Sequence, residues 1–213
     1  SPVPALAPGA EQACSPASLL EIVRQFSIEP PTRTVIVVFS SGHFENLAGI
    51  RHFVPLMQVA AGVRPPDFQV WKEDEQVLIN AFSTYKLRMF IGFDLVTESD
   101  LLSVTKAVFP YRTPFSTPPI NTSLMIMAGA YEDTVLGGRK ILANGLKKDL
   151  KRQGLGTSPE SVPVEASAPA LAGCPTLLFR TLNDIRSRFD SPTDYANQIE
   201  YSGLGKQIEF LSY

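Results

Sequence analysis

The sequence predicts an α+β protein built on a mixed β-sheet covered by helices. Three observations carry this. Two runs, Thr34–Phe39 (TVIVVF) and Leu124–Ala130 (LMIMAGA), are apolar on both faces, as strands buried between two layers are. Each precedes a stretch with helical spacing. Between them lie short apolar segments separated by gaps too short for parallel crossovers, which need about a dozen residues, so these segments are expected to form an antiparallel meander.

Residues 1–16, rich in Pro, Ala and Gly, read as an extended arm. Residues 17–26 place Leu19, Leu20, Val23 and Phe26 on one helical face, with Ser15 as cap and Pro16 at the first position. Glu29-Pro30-Pro31-Thr32 stops that helix. Thr34–Phe39 follows as a strand, and Ser40-Ser41-Gly42-His43 as the turn after it. Residues 44–61 carry Leu47, Ile50, Val54, Met57 and Ala61 at helical spacing, with Pro55 inside as a source of a kink.

After a loop at Gly62 and Arg64–Asp67, the meander comprises Phe68–Trp71, Gln76–Phe82 and Leu87–Val96, with Glu73-Asp74-Glu75 as an acidic hairpin turn. Thr97–Phe109 reads as a helix capped by Thr97. The proline-rich stretch 110–120 is a loop, and Leu124–Ala130 the second buried strand. Arg139–Gln153 reads as a helix with a Leu142, Leu146, Leu150 stripe and a cationic C-terminal end. Thr176–Arg180 is a further strand, Ser191–Glu200 contains a short helix, and Gln207–Tyr213 is a terminal strand. The organisation expected is an arm (1–16), a main domain (17–153), a Pro/Ala/Ser-rich linker or long loop (154–175) and a C-terminal segment (176–213) packing back on the main domain. Val35, Val37, Phe39, Leu124, Ile126 and Met127 are the expected core.

Composition narrows the function. Of 213 residues, 44% are apolar, enough to bury a core, and 19% are charged, below the usual quarter or so. A charge-poor surface suits a chain partly covered by a partner. The net charge of −2 and pI near 5.7 lack the basic footprint that nucleic-acid binding requires. No apolar run approaches the roughly 20 residues of a membrane span. The chain opens at Ser1 instead of Met, as a processed product or a polyprotein fragment would. Cys14 and Cys174 are too few for a disulfide scaffold or a cysteine-based zinc site. They read as independent thiols, the alternative being one bridge tying the arm to the linker.

Four residues form the candidate ligand site: Ser40, Ser41, Gly42 and His43. A turn between a strand end and a helix start offers free N–H groups to a phosphate or carboxylate. Two hydroxyls, a glycine and an imidazole suit that task. The plainer reading is a connector in which Ser41 caps the helix. The two histidines, His43 and His52, are nine residues apart. At about 100° per residue they point to opposite sides of a helix and share no metal. Gly137-Gly138-Arg139-Lys140 is a second phosphate-cradle candidate, without P-loop spacing. No Gly-x-Ser-x-Gly elbow is present, and no cofactor is implied.

Two functional classes follow. The favoured one is a non-catalytic structural or interaction subunit of a larger protein assembly, docking through the arm and the Pro-rich loops, with other protein subunits as partners. The alternative is a small transferase or hydrolase binding an anionic ligand at Ser40–His43.

Overall fold

Among the described residues, four strands form one mixed sheet. The computed structural model describes residues 9–41, 46–60, 62, 71–105, 118–144, 164–184, 186 and 191–213, with the backbone alone at 118–121 and 144. In chain order the elements are α1 (Cys14–Ile28), α2 (Ala48–Ala60), α3 (Glu73–Phe82), β1 (Phe90–Asp94), β2 (Leu102–Thr105), α4 (Pro118–Thr134), β3 (Leu142–Asn144), α5 (Ser167–Leu171), β4 (Thr176–Thr181) and α6 (Tyr201–Ser212). The sheet order is β1-β4-β2-β3. β4 runs parallel to β1, with Asp94 opposite Arg180, and antiparallel to β2. β2 and β3 are parallel.

The expected α+β class with a mixed sheet holds. β4 is the clearest strand: all six of its residues are buried, with the apolar Leu177, Leu178 and Phe179 facing both sides and Arg180 paired with Asp94. Leu177 and Phe179 turn to one face, joining Leu102, Val104, Leu142, Ala128, Tyr131, Leu204 and Phe210 in the main core. Leu178 turns to the other and meets Val164 and Ala166. The turn at 166 comes so close that a Cβ on Gly92 would stand 2.6 Å from the Ala166 Cβ. Helix α1 forms over the expected stretch, but it buries Cys14, Ser18 and Ile22 and leaves Leu20 and Val23 of the expected stripe exposed. Ser15 lies inside it and bonds the Leu95 backbone instead of capping it. α2 contains Pro55 without ending there.

Several strands are not where the sequence put them. Thr34–Phe39 is extended but belongs to no sheet, and it is largely exposed. Leu124–Ala130 is the middle of α4. Leu124, Ala128 and Tyr131 recur at helical spacing toward the core, whereas Ile126 and Met127 are 67% and 50% exposed. Of the expected core residues, Val37 and Leu124 are half-buried, and the other four are exposed.

The antiparallel meander is absent from the described residues. Gln76–Phe82 lies in α3, β1 occupies part of Leu87–Val96 and pairs in parallel with β4, and Phe68–Val70 lies outside the described residues. The acidic triplet Glu73–Glu75 is the first turn of α3, where carboxylates favour the positive end of the helix dipole. Glu75 Oε2 accepts the Lys72 N–H at 2.6 Å, half of a capping box. The expected Thr97–Phe109 helix does not form over 97–105, where β2 stands at Leu102–Thr105, and residues 106–109 lie outside the described residues. Asp184 holds the Glu98 N–H and the Ser99 hydroxyl holds the Leu101 N–H, so side chains satisfy the backbone that a helix would have satisfied.

β3 occupies part of the expected Arg139–Gln153 helix, residues 145–153 lying outside the described part. Gln207–Tyr213 falls in α6 and its end, with Gly203, Leu204, Gln207 and Phe210 buried along one face of that helix. Between Ser191 and Glu200 only a 3₁₀ turn, Ala196–Gln198, forms.

The arm and linker also change character. Residues 9–16 are not an extended arm. The Ala10 N–H donates to the Asp194 carbonyl at 3.2 Å and the Glu11 N–H to Asp194 Oδ1 at 2.8 Å. Cys14, a free thiol, is buried in the main core. In the linker, Val164, Ala166, Pro169 and Ala170 are buried and α5 forms. Residues 1–8 and 154–163 lie outside the described residues.

Candidate functional site

The region around Thr34–Ser41 owes its shape to two sequence features. Pro30 and Pro31 end α1's extension, and the β-branched Val35–Val38 run keeps the backbone extended. The segment then reaches α2 at a point of backbone contact. The Gly49 N–H donates to the Ser41 carbonyl at 3.0 Å. A Cβ on Gly49 would stand 2.5 Å from that oxygen and 2.9 Å from the Ser41 nitrogen. Only glycine lets the segment lie this close to the helix.

Of the four predicted site residues, Ser40 is half-buried and Ser41 exposed, while Gly42 and His43 lie outside the described residues. The helix begins at Ala48, and Ser41 meets it through its carbonyl. The segment before the turn is the more informative. Val35 is 49%, Ile36 38% and Phe39 53% exposed. Thr34–Ser40 makes no hydrogen bond to another described residue. It therefore presents an uncharged, extended backbone whose donors and acceptors meet no partner among the described residues.

The other clusters of charged residues are tied up within the chain. Beyond the carboxyl ends of β1 and β4, where open α/β sheets bind ligands, Asp94 Oδ2 accepts from Arg180 Nε at 2.7 Å. Its Oδ1 lies 2.8 Å from the Arg186 guanidinium. Thr181 and Gln207 close the same end by bonding each other and the Val96 backbone. Both cations of the Gly137–Lys140 candidate are also engaged: Arg139 pairs with Asp100, and Lys140 with Glu132 at 2.7 Å. The glycines there adopt φ of +60° and +89°, a tight turn leading into β3. Burial, with the nearby charges of Glu11, Asp194 and Asp184, pushes the Cys14 thiol up to about 12. It is therefore not a thiolate nucleophile at neutral pH.

Among the described residues, no group of His, Cys, Asp and Glu is arranged to hold a metal ion, and no helix is long and apolar enough to cross a membrane. No protein-family model matches the chain, and neither does any curated protein.

Proposed function

We propose that the chain is a non-catalytic interaction subunit of a protein assembly, and that its docking element is Thr34–Phe39. The observation that carries this is the exposure of Val35, Ile36 and Phe39 on an extended segment whose backbone makes no hydrogen bond to a described residue. Such a segment is a template for strand addition, in which main-chain bonds supply affinity and alternate side chains supply fit. A run of β-branched residues without charge or proline pairs readily with a second copy of itself, and such an isologous contact closes as a two-fold dimer. The docking role moves here from the arm and the linker, whose described parts pack into the chain itself.

The test is the native mass of the full chain, 23.3 kDa as a monomer, by light scattering after size exclusion. The wild type is expected to run as a dimer or larger. The double variant Val35→Lys with Ile36→Lys should run as a monomer with an unchanged melting temperature, since both side chains are exposed. A monomeric wild type, or a variant that assembles normally, would reject this element as the docking site.

A further inference from the structure

A cleft of about 410 Å³ opens between α1, α4 and α6, within the range of roughly 300–1,000 Å³ typical of small-molecule sites. Glu21 from α1, Tyr131 from α4, Gly205, Glu209 and Ser212 from α6, and Tyr213 just after it line it, and no lysine or arginine does among the described residues. The two carboxylates differ. Glu21 is occupied: Arg24 grips both of its oxygens at 2.7 Å and Gln25 donates at 2.8 Å. Glu209 pairs with no cation among the described residues.

Tyr131 forms the floor of the cleft. It is 1% exposed, and its hydroxyl completes no hydrogen bond of good geometry. Glu209 is the carboxylate that faces it: burial, then the Glu209 charge and the contact of the hydroxyl with the Glu209 carboxylate, push the phenol up to about 12. The Tyr213 ring stands 5.1 Å from the Tyr131 ring, centroid to centroid.

Gly205 adds an independent indication. Glycine inside a helix costs stability relative to alanine, so it needs a reason. Gly203 has one: a Cβ there would stand 2.9 Å from the Thr97 carbonyl oxygen. Gly205, one turn face away, would meet nothing within 4 Å. Its missing side chain leaves room in the cleft that nothing in the described chain fills.

We propose that this cleft binds an organic ammonium ion. The charged head sits at the Glu209 carboxylate, beside the Tyr131 hydroxyl and against the Tyr213 ring. The alkyl part lies over Gly205. A charge-assisted hydrogen bond to a carboxylate and a cation–π contact with a tyrosine are the interactions an ammonium group makes best. The site is independent of the Thr34–Phe39 docking element.

The probe is n-butylammonium, with n-butanol and butyrate as matched controls, titrated into the full chain and followed by calorimetry and NMR shift changes. Saturable binding of n-butylammonium alone is expected. Glu209→Gln should weaken it at least tenfold. Gly205→Leu should abolish it by filling the cleft, while the melting temperature stays level or rises, because leucine is the better helix former. A blocked tripeptide with a central lysine separates the sources of the group. Tighter binding than n-butylammonium assigns the site to a lysine side chain of a polypeptide, and weaker binding to a free amine. No saturable binding of n-butylammonium, equal binding of either control, or undiminished binding by Gly205→Leu would overturn the proposal.

Discussion

Glu132 holds an outer strand of the sheet with one carboxylate. Its Oε1 accepts the Ile141 and Leu142 N–H groups at 2.9 and 3.2 Å, and its Oε2 accepts the Lys140 ammonium at 2.7 Å. Burial opposes the charge, and the Lys140 bond and the two backbone donors outweigh it, holding this carboxyl below its ordinary range. In the unfolded chain it titrates near 4.3. The unfolded state therefore binds the proton more readily as pH falls. The stabilisation is fully present above that ordinary value and is lost as pH drops through the lower, folded one. Glu132→Ala strands two buried N–H groups at about 1–3 kcal/mol each, so urea denaturation at pH 7 should show a loss of about 3 kcal/mol. Glu132→Gln keeps one acceptor and should lose about 1 kcal/mol, with its gap to the wild type closing below pH 4. A gap that persists unchanged at pH 3 would mean that the charge contributes nothing. None of this was legible in the sequence, where Glu132 is one acid in a Tyr-Glu-Asp-Thr run. Asp194, which takes the Glu11 N–H from the far end of the chain, was equally hidden.

At the scale of elements, legibility followed periodicity. Helix α2 was readable because Leu47, Ile50 and Met57 of its expected stripe are buried, whereas α1 was placed correctly on a stripe whose Leu20 and Val23 are exposed, its buried face being Cys14, Ser18 and Ile22. Within α4 the same signal exists in Leu124, Ala128 and Tyr131, but exposed Ile126 and Met127 interrupt it and make the run look like a strand apolar on both faces. In α3 the acidic first turn was the overlooked helix signal. The misreading of α6 as a strand also hid the cleft, since Gly205, Glu209 and Ser212 share a side only on a helix. Two residues of the four-residue turn Ser40–His43 are described, and the extended segment before it is the element proposed for docking. That segment depends on Gly49. Gly49→Ala gains up to about 1 kcal/mol in helix propensity, but its methyl group meets the Ser41 backbone, which cannot rotate away as a side chain would. Overpacking of this kind costs about 1–3 kcal/mol. Gly49→Ala should therefore lower the melting temperature and speed amide exchange in residues 34–41. A variant more stable than the wild type would show that the close approach does not exist in solution.

For the whole molecule, the central fact is that the strand at the heart of the sheet comes late in the chain. β4 bonds β1 and β2, whose residues precede it by more than seventy positions, and it supplies core residues to both faces of the sheet. Without β4 the sheet order leaves β1 with no neighbour and β2 with β3 alone. Helix α6 adds Leu204 and Phe210 to the same core, and Gln207 bonds the Val96 and Ser99 carbonyls and Thr181. Local sequence reading set 17–153 apart as the main domain, with 176–213 packing back on it, and paired the apolar runs of 17–153 among themselves. The pairing is instead long-range, so folding must close large loops before the sheet gains any bonds. A chain comprising only residues 17–153 should consequently fail to fold. It should show no cooperative urea transition and poorly dispersed amide resonances. Adding residues 164–213 as a separate polypeptide should restore dispersion only if β4 inserts between β1 and β2. A fragment 17–153 that unfolds cooperatively by itself would mean that the sheet has a centre other than β4.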